Sequence, residues 1–227
     1  RNRAKEDWEP RSDTTREKLL QTAQRFVNWA ASEDEYRDFV KPIGKLYRPA
    51  VLRPRSTAPT FGQMASCIEA ALDVPMKRAL LLMYYTGLRP TLQVMQLKWS
   101  DFTFGDPGRA MLKMRPEICK TADEKSEARE IPICPHLALE LLDWANQDGV
   151  LIKEGKALSK HHLVPTNRSR RELRGRDVKR AWVRSKAGWE PDWRSPSMAF
   201  RHGFDTGLLE RRADSHAVSH LMGHKDT

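Results

Sequence analysis

Residues 198–202 read Met-Ala-Phe-Arg-His and residues 221–224 read Leu-Met-Gly-His, and these two stretches decide how the chain is interpreted. Both fall on segments with helical signals, so Arg201 is predicted to lie on one helix and His224 to follow another. Gly223 is typical of a helix end and is expected to stop the second helix before His224. Arg201 and His224 are 23 positions apart.

A second candidate arginine lies upstream, where residues 86–90 read Thr-Gly-Leu-Arg-Pro. Gly87 permits a turn that ends a helix, and Pro90 is a residue that starts one. Arg89 therefore lies between two helices, where its planar guanidinium could bind two oxygens of one phosphate.

Together these stretches resemble the two signature boxes of tyrosine recombinases of the phage-integrase type. The first box is matched by residues 86–90 with the residues that follow it, namely Leu97, Trp99 and Asp101. The second box is a His-x-x-Arg-His pattern followed by a Leu-Gly-His turn, and residues 198–202 and 221–224 match it except at Met198.

The resemblance implies a mainly α domain with a small antiparallel β-sheet, an α+β fold, and an enzyme that cuts and rejoins DNA. Arg89 and Arg201 would clamp the negative charge that develops on the phosphate, and His224 would donate a further hydrogen bond. Lys120 would protonate the departing 5′ oxygen as general acid. The chemistry implied needs no metal and no nucleotide cofactor.

The assignment of the lysine stays open between two residues. Lys120-Thr121 precedes Arg129-Glu130-Ile131-Pro132-Ile133, which resembles the family's hairpin lysine followed by a strand with a hydrophobic-Pro-hydrophobic step. The intervening turn is longer than usual, so Lys125 can also be counted as the hairpin lysine.

Two residues depart from the family pattern. Met198 stands where most members carry a histidine, and a thioether can neither donate a hydrogen bond nor take up a proton well. Leu92 replaces a commonly acidic residue that could orient Arg89. His202, directly after Arg201, is expected to be a buried structural histidine. Because of these two departures, the activity of the site could be weakened or tuned relative to the family.

The nucleophilic tyrosine of the family follows the Leu-Gly-His turn by about nine residues, and the covalent route requires it. The sequence contains four tyrosines, Tyr36, Tyr47, Tyr84 and Tyr85, and all of them precede the first box or abut it. We therefore expect the nucleophile beyond Thr227, and this chain alone should bind DNA without cutting it.

The charge balance points to a polyanion as partner, since 40 Lys and Arg against 30 Asp and Glu give a net charge of +10. Double-stranded DNA is the predicted partner. The residues expected to contact it lie in a proline-rich stretch and in a basic run over 153–186, and they are Arg48, Arg53, Arg55, Arg168, Arg170, Arg171, Arg174 and Lys179.

The chain is expected to divide into three parts. Residues 1–47 are interpreted as the end of a truncated helical core-binding domain, and 48–59 as a proline-rich basic linker. Residues 60–227 are interpreted as the catalytic domain without its tyrosine helix. Helices are predicted over 14–31, twice between Thr60 and Gly87, from Pro90, over 135–144, and near 174–186, 197–210 and 214–222; strands are predicted over 101–104, 110–114 and 129–133.

Capping boxes are predicted at Thr14 with Glu17 and at Thr60 with Gln63. Three widely spaced cysteines, Cys67, Cys119 and Cys134, suit neither a disulfide framework nor a paired-cysteine zinc site, and are expected to be buried thiols. The lack of a long apolar run and of a charged-then-apolar leader predicts a soluble protein of the cytoplasm. Association with the nucleoid is expected as well.

Two other interpretations remain. His216, His220 and His224 recur every four residues and, with Asp226, could hold zinc if they shared one continuous helix. Alternatively, Met198 and Leu92 could mark a degenerate recombinase domain that binds DNA without catalysis. The family resemblance implies a homotetramer on paired DNA sites for the full-length protein, whereas this fragment could be a monomer.

Overall fold

The computed structural model describes residues 13–44, 57–105, 108–119, 129–164, 175–190, 193 and 195–223. The chain forms two compact units, Arg1–Arg55 and Ser56–Thr227.

The first unit contains one long helix, α1 (Asp13–Ser32), which confirms the helix predicted over 14–31. It begins one residue before Thr14, so Thr14 lies inside the helix and not at the predicted N-cap. Helix starts inferred from sequence are commonly displaced by a few residues. Phe26 and Trp29 are 62% and 51% exposed although their rings lie 5.8 Å apart, so much of the apolar face of α1 remains uncovered.

The second unit is built mainly from helices, as expected. They are α2 (Phe61–Glu69), α3 (Val74–Thr86), α4 (Pro135–Gln147), α5 (Gly175–Arg184), α6 (Pro196–Glu210) and α7 (Ser215–Met222). The predicted capping box of α2 is confirmed. The Gln63 amide donates to Thr60 Oγ1 at 3.2 Å, and the Thr60 amide donates to Gln63 Oε1 at 2.8 Å.

A small five-stranded antiparallel sheet accompanies the helices, in the order β3-β2-β1-β5-β4. The strands are β1 (Phe102–Phe104), β2 (Ala110–Met114), β3 (Arg129–Ile133), β4 (Ile152–Lys153) and β5 (Lys156–Ala157). The sheet confirms the mainly α fold with a minor β component. Strands β4 and β5 were not predicted, because two residues are too few to show an alternating pattern.

Four local predictions were wrong or incomplete. The short helix predicted from Pro90 is a turn followed by the 3₁₀ helix Val94–Gln96. Asp101 does not start β1 but ends the 3₁₀ helix Trp99–Asp101, where its carboxylate accepts from the Lys98 amide at 2.9 Å. The helix predicted over 135–144 continues to Gln147. Of the cysteines, Cys67 is buried, whereas Cys119 and Cys134 are half-buried.

Helix α6 lies at the centre of the second unit and packs against α2, α3, α5 and α7. Its buried face includes Phe200, whose ring lies 5.2 Å from that of Trp182 on α5. Because α6 contacts both α3 and α7, a side chain on its inner face can reach the turns that follow these two helices. No described helix is both long and apolar enough to span a bilayer.

Candidate active site

The loop that carries Arg89 is fixed by a glycine turn and by one glutamine. Gly87 ends α3 in the left-handed region with φ +63°, and a Cβ there would overlap the ring of Phe204. The amide of Arg89 donates to Oε1 of Gln93 at 2.8 Å, and Gln93 is only 2% exposed. Sequence reasoning missed Gln93, which fixes the backbone of Arg89 four residues away.

Arg201 lies on the inner face of α6 and is only 3% exposed. Its Nη1 donates to the carbonyl oxygen of Gly87 at 2.7 Å, and its Nη2 donates to that of Met222 at 2.6 Å. One guanidinium thus connects the end of α3 with the end of α7. These contacts fix the side chain beside the loop that carries Arg89.

Arg129, the first residue of β3, is a third arginine of this region, and sequence reasoning gave it no role. Its Nη1 donates to the carbonyl oxygen of His220 in the last turn of α7 at 3.3 Å. Its Nε and Nη2 are buried and have no hydrogen-bond partner in the part of the chain that the structure describes. No local signal reveals this contact, because Arg129 and His220 are 91 residues apart in sequence.

The three arginines are close enough to affect one another electrostatically. Burial, and then the charges of Arg89 and Arg129, lower the pKa of Arg201 to about 10, while Asp205 acts in the opposite direction. The pKa of Arg129 is lowered by burial and by Arg89, while Cys119 opposes the shift. The site therefore concentrates positive charge whose mutual repulsion a bound anion would relieve.

The structure also describes the residues that depart from the family pattern, and the histidine that follows Arg201. Met198 is half-buried in the first turn of α6, three residues before Arg201, and Leu92 is 55% exposed. His202 is half-buried, so the expectation of a fully buried histidine was wrong. It follows Arg201 on α6, and the inner face of the helix is occupied there by Arg201 itself.

Several predicted residues lie outside the described part of the chain. They are the catalytic candidates Lys120, Lys125 and His224, and the proposed DNA contacts Arg48, Arg53, Arg55, Arg168, Arg170, Arg171 and Arg174. The structure brings together Arg89 and Arg201 from the predicted catalytic set, and adds Arg129.

The zinc interpretation required one continuous helix through three histidines, and α7 does not provide it. The helix ends at Met222, and Gly223 adopts a left-handed conformation with φ +68°, so α7 contains His216 and His220, whereas His224 lies outside the described residues. Within the described ranges, no group of three or more His, Cys, Asp or Glu side chains could hold a metal ion.

Lys179 is described and lies on the exposed face of α5. The opposite face of this helix is buried through Val178, Ala181 and Trp182. The exposed basic side chains of α5 are Arg176, Lys179, Arg180 and Arg184. The helix therefore presents a basic surface to the solvent while its apolar side faces the core.

Comparison with known proteins agrees with this arrangement. The family model described as phage integrase family matches residues 61–227. The fold is similar to that of XerH site-specific recombinase bound to difH substrate, with a TM-score of 0.55, 18% identity, and coverage of 91% of this chain and 56% of that chain. It is also similar to the Tn1549 transposon integrase in complex with transposon right end DNA, with a TM-score of 0.59, 17% identity, and coverage of 92% and 72%.

XerA recombinase is a third similar structure, with a TM-score of 0.53, 18% identity, and coverage of 91% of this chain and 74% of that chain. No curated protein sequence matches. At these identities the solved structures establish the fold, and the chain spans less than two thirds of the length of XerH. The family model covers most of the chain and includes Arg89, Arg129 and Arg201. The family resemblance seen in the sequence is thereby confirmed, and the chain belongs to the phage integrase family.

Proposed function

We propose that the protein containing this chain is a site-specific DNA recombinase that acts by transesterification through a 3′-phosphotyrosine intermediate. The observation that carries this proposal is the buried Arg201, fixed by two backbone carbonyls beside the loop of Arg89. A guanidinium held in place next to a loop that carries a second arginine is suited to the charge that develops on a phosphate during nucleophilic attack. Family membership supports the same chemistry.

In the proposed reaction, a tyrosine oxygen attacks phosphorus, and the bond from phosphorus to the 5′ oxygen breaks. Arg89 and Arg201 stabilise the non-bridging oxygens, and His224 donates a further hydrogen bond. Lys120 or Lys125 gives its proton to the departing 5′ oxygen. The phosphotyrosine retains the energy of the broken ester, so the 5′ hydroxyl of a partner strand can displace the tyrosine. Neither metal nor nucleotide takes part in these steps.

We propose that the nucleophile is a tyrosine that follows residue 227 in the complete protein. Within α3, Tyr84 and Tyr85 pack edge to face with ring centroids 4.8 Å apart. Burial, and then Cys134, Tyr84 and Glu140, raise the pKa of Tyr85. A raised pKa opposes formation of the phenolate, which favours a different tyrosine as the nucleophile.

The proposed substrate is double-stranded DNA, contacted by Lys179 and the basic residues of the 48–59 and 165–174 segments. The net charge of +10 and the exposed basic face of α5 support this partner. We further propose that 1–47 is the end of a core-binding domain, that 48–59 is its linker, and that 60–227 is the catalytic domain. The full-length protein would act as a homotetramer on paired sites, in the cytoplasm at the nucleoid, while this fragment would be monomeric.

A second candidate function is DNA binding without catalysis. Met198 favours it, because the half-buried thioether supplies no donor where the family carries a histidine. The exposed Leu92 favours it as well, because a carboxylate that could orient Arg89 is absent at that position.

The two functions are separated by trapping the covalent intermediate. Full-length protein would be incubated with a nicked suicide DNA site, and the protein–DNA adduct quantified on a denaturing gel. An enzyme forms the adduct, and Arg89→Ala should slow its formation by about 100- to 1000-fold, the loss typical of removing a charge-stabilising donor.

Arg115→Ala provides the matched control. Arg115 is a half-buried arginine whose Nε donates to Asp101 at 2.9 Å and whose Nη2 donates to the Gln96 carbonyl at 2.7 Å. Loss of the partner of the buried Asp101 should lower the stability of Arg115→Ala, but at a temperature where the variant is folded it should form adduct at a rate similar to wild type. Tight DNA binding without any adduct would refute the enzymatic function and favour the binding protein.

A further inference from the structure

Arg129 has buried hydrogen-bond donors that the described residues leave unpaired. One of its nitrogens contacts the His220 carbonyl at 3.3 Å, a long hydrogen bond. The other two, Nε and Nη2, are shielded from solvent and have no acceptor within the described residues. Buried donors of native proteins are almost always paired, so two unpaired N–H groups on one guanidinium indicate an acceptor that binds there.

The surroundings specify the charge of that acceptor. Arg129 lies within electrostatic range of Arg89, and Arg201 is within range of both. Asp205 is the described carboxylate that acts on Arg201 in the opposite direction. A neutral acceptor would satisfy the N–H groups but leave the repulsion of three guanidinium groups unchanged, whereas an anion would do both.

The number of arginines favours a phosphate over a carboxylate as the bound anion. A guanidinium binds two oxygens side by side, and a phosphate offers several oxygens in different directions, so it can be contacted by more than one arginine. A carboxylate has only two oxygens, both in one plane, and so offers fewer directions for contact with three guanidinium groups.

We propose that Arg129 is a third phosphate-binding arginine, whose Nε and Nη2 donate to the same phosphate group that Arg89 and Arg201 hold. This inference rests on the proposed function for the identity of the phosphate as part of DNA. Through its contact with His220, Arg129 also connects the bound phosphate to the end of α7, the helix that precedes His224.

Phosphate binding can be measured on the 227-residue chain without DNA. The melting temperature would be followed during titration with inorganic phosphate, with chloride added to keep the ionic strength constant. Each variant is compared with its own phosphate-free form, so a change in folding stability alone does not alter the phosphate affinity derived from the titration.

Wild type should be stabilised by phosphate, and Arg129→Gln should bind it about 10- to 100-fold more weakly, the effect of losing one or two charge-assisted hydrogen bonds. Arg129→Lys, which keeps the charge but loses the planar fork, should bind about 3- to 10-fold more weakly, and serves if Arg129→Gln does not fold. Arg115→Gln is the control, and its affinity for phosphate should match that of wild type within about twofold, whatever the change in its folding stability.

The inference is overturned if Arg129→Gln binds phosphate as well as wild type does, or if phosphate does not stabilise the wild type. A weakened Arg129→Gln with a normal Arg115→Gln supports it. The proposed recombinase function fails by a different result, the absence of a covalent adduct from full-length protein, whatever the phosphate titration shows.

Discussion

A substitution at Gly223 tests the geometry that joins Arg129 to the end of α7. Gly223 has φ +68°, and a Cβ on it would overlap Nη1 of Arg129. Gly149 provides a matched control, since it has φ +65° but no atom within 4 Å of the position that a Cβ would take. Alanine at either position must adopt the left-handed conformation, which lowers the free energy of unfolding by about 1–2 kcal/mol. Only at residue 223 must it also displace a guanidinium.

The additional cost at Gly223 follows from the contact that is displaced. Arg129 Nη1 donates to the His220 carbonyl at 3.3 Å, and a hydrogen bond from a charged donor contributes about 1.5–3 kcal/mol, with this long contact near the lower end. Gly223→Ala should therefore destabilise by about 3 kcal/mol, and Gly149→Ala by about 1.5 kcal/mol. Urea unfolding of both variants measures the difference.

A double-mutant cycle attributes that difference to Arg129. In an Arg129→Gln background the shorter side chain leaves room for the new methyl group. The additional cost of Gly223→Ala should then disappear, with a coupling energy of about 1.5 kcal/mol. Equal destabilisation by Gly223→Ala and Gly149→Ala, or an unchanged cost of Gly223→Ala in the Arg129→Gln background, would refute the placement of Arg129 against this turn.

Three other outcomes are expected. Burial raises the pKa of Cys67 from 9.0 to about 12, so at pH 8 its thiolate is about 1000-fold rarer than that of an exposed thiol. Iodoacetamide should therefore label Cys119 but not Cys67 in the native protein. Comparable labelling of the two cysteines would contradict the burial of Cys67. Asp148→Asn should lower the free energy of unfolding by about 3 kcal/mol, because Arg78, with a side chain only 4% exposed, loses its charged partner 2.7 Å away. Denaturant midpoints measure this loss, and a loss under about 1 kcal/mol would contradict the importance of the pair. Lys179→Gln should lower the slope of log affinity for DNA against log salt by about 1 and leave stability unchanged, and an unaltered slope would show that Lys179 contacts no phosphate.

The features of the fold that could be predicted from the sequence are those with local signals. Thr60 and Gln63 are three residues apart, and their capping box follows from the two residue types alone. Strands β2 and β3 were predicted at their observed bounds because each has five residues with a recognisable pattern. Strand β5 has two residues and pairs through Lys156 with Thr103, a contact that no local pattern announces.

The same distinction applies to the site. Arg89 and Arg201 were found because they occur in short motifs that resemble a family. Arg129 occurs in a strand that was predicted correctly, yet its role depends on His220, 91 residues away. Arg201 was expected to clamp phosphate, but its burial and its bonds to Gly87 and Met222 became visible only with the packing of α6. A contact between two side chains that are far apart in the chain produces no periodic pattern in the sequence.

The third arginine bears on whether a methionine at residue 198 excludes catalysis. A histidine there would supply one donor or one proton-accepting nitrogen, and Met198 supplies neither. Charge on the phosphate in the transition state is stabilised by all the donors directed at it, so a donor at one position can replace part of what is missing at another. If Arg129 directs two N–H groups to the phosphate, these donors on β3 replace the charge stabilisation that a histidine at residue 198 would provide. In the proposed reaction, proton transfer from the attacking tyrosine is not replaced in this way. The presence of methionine in place of histidine at residue 198 should therefore alter the pH dependence of cleavage more than the affinity for phosphate.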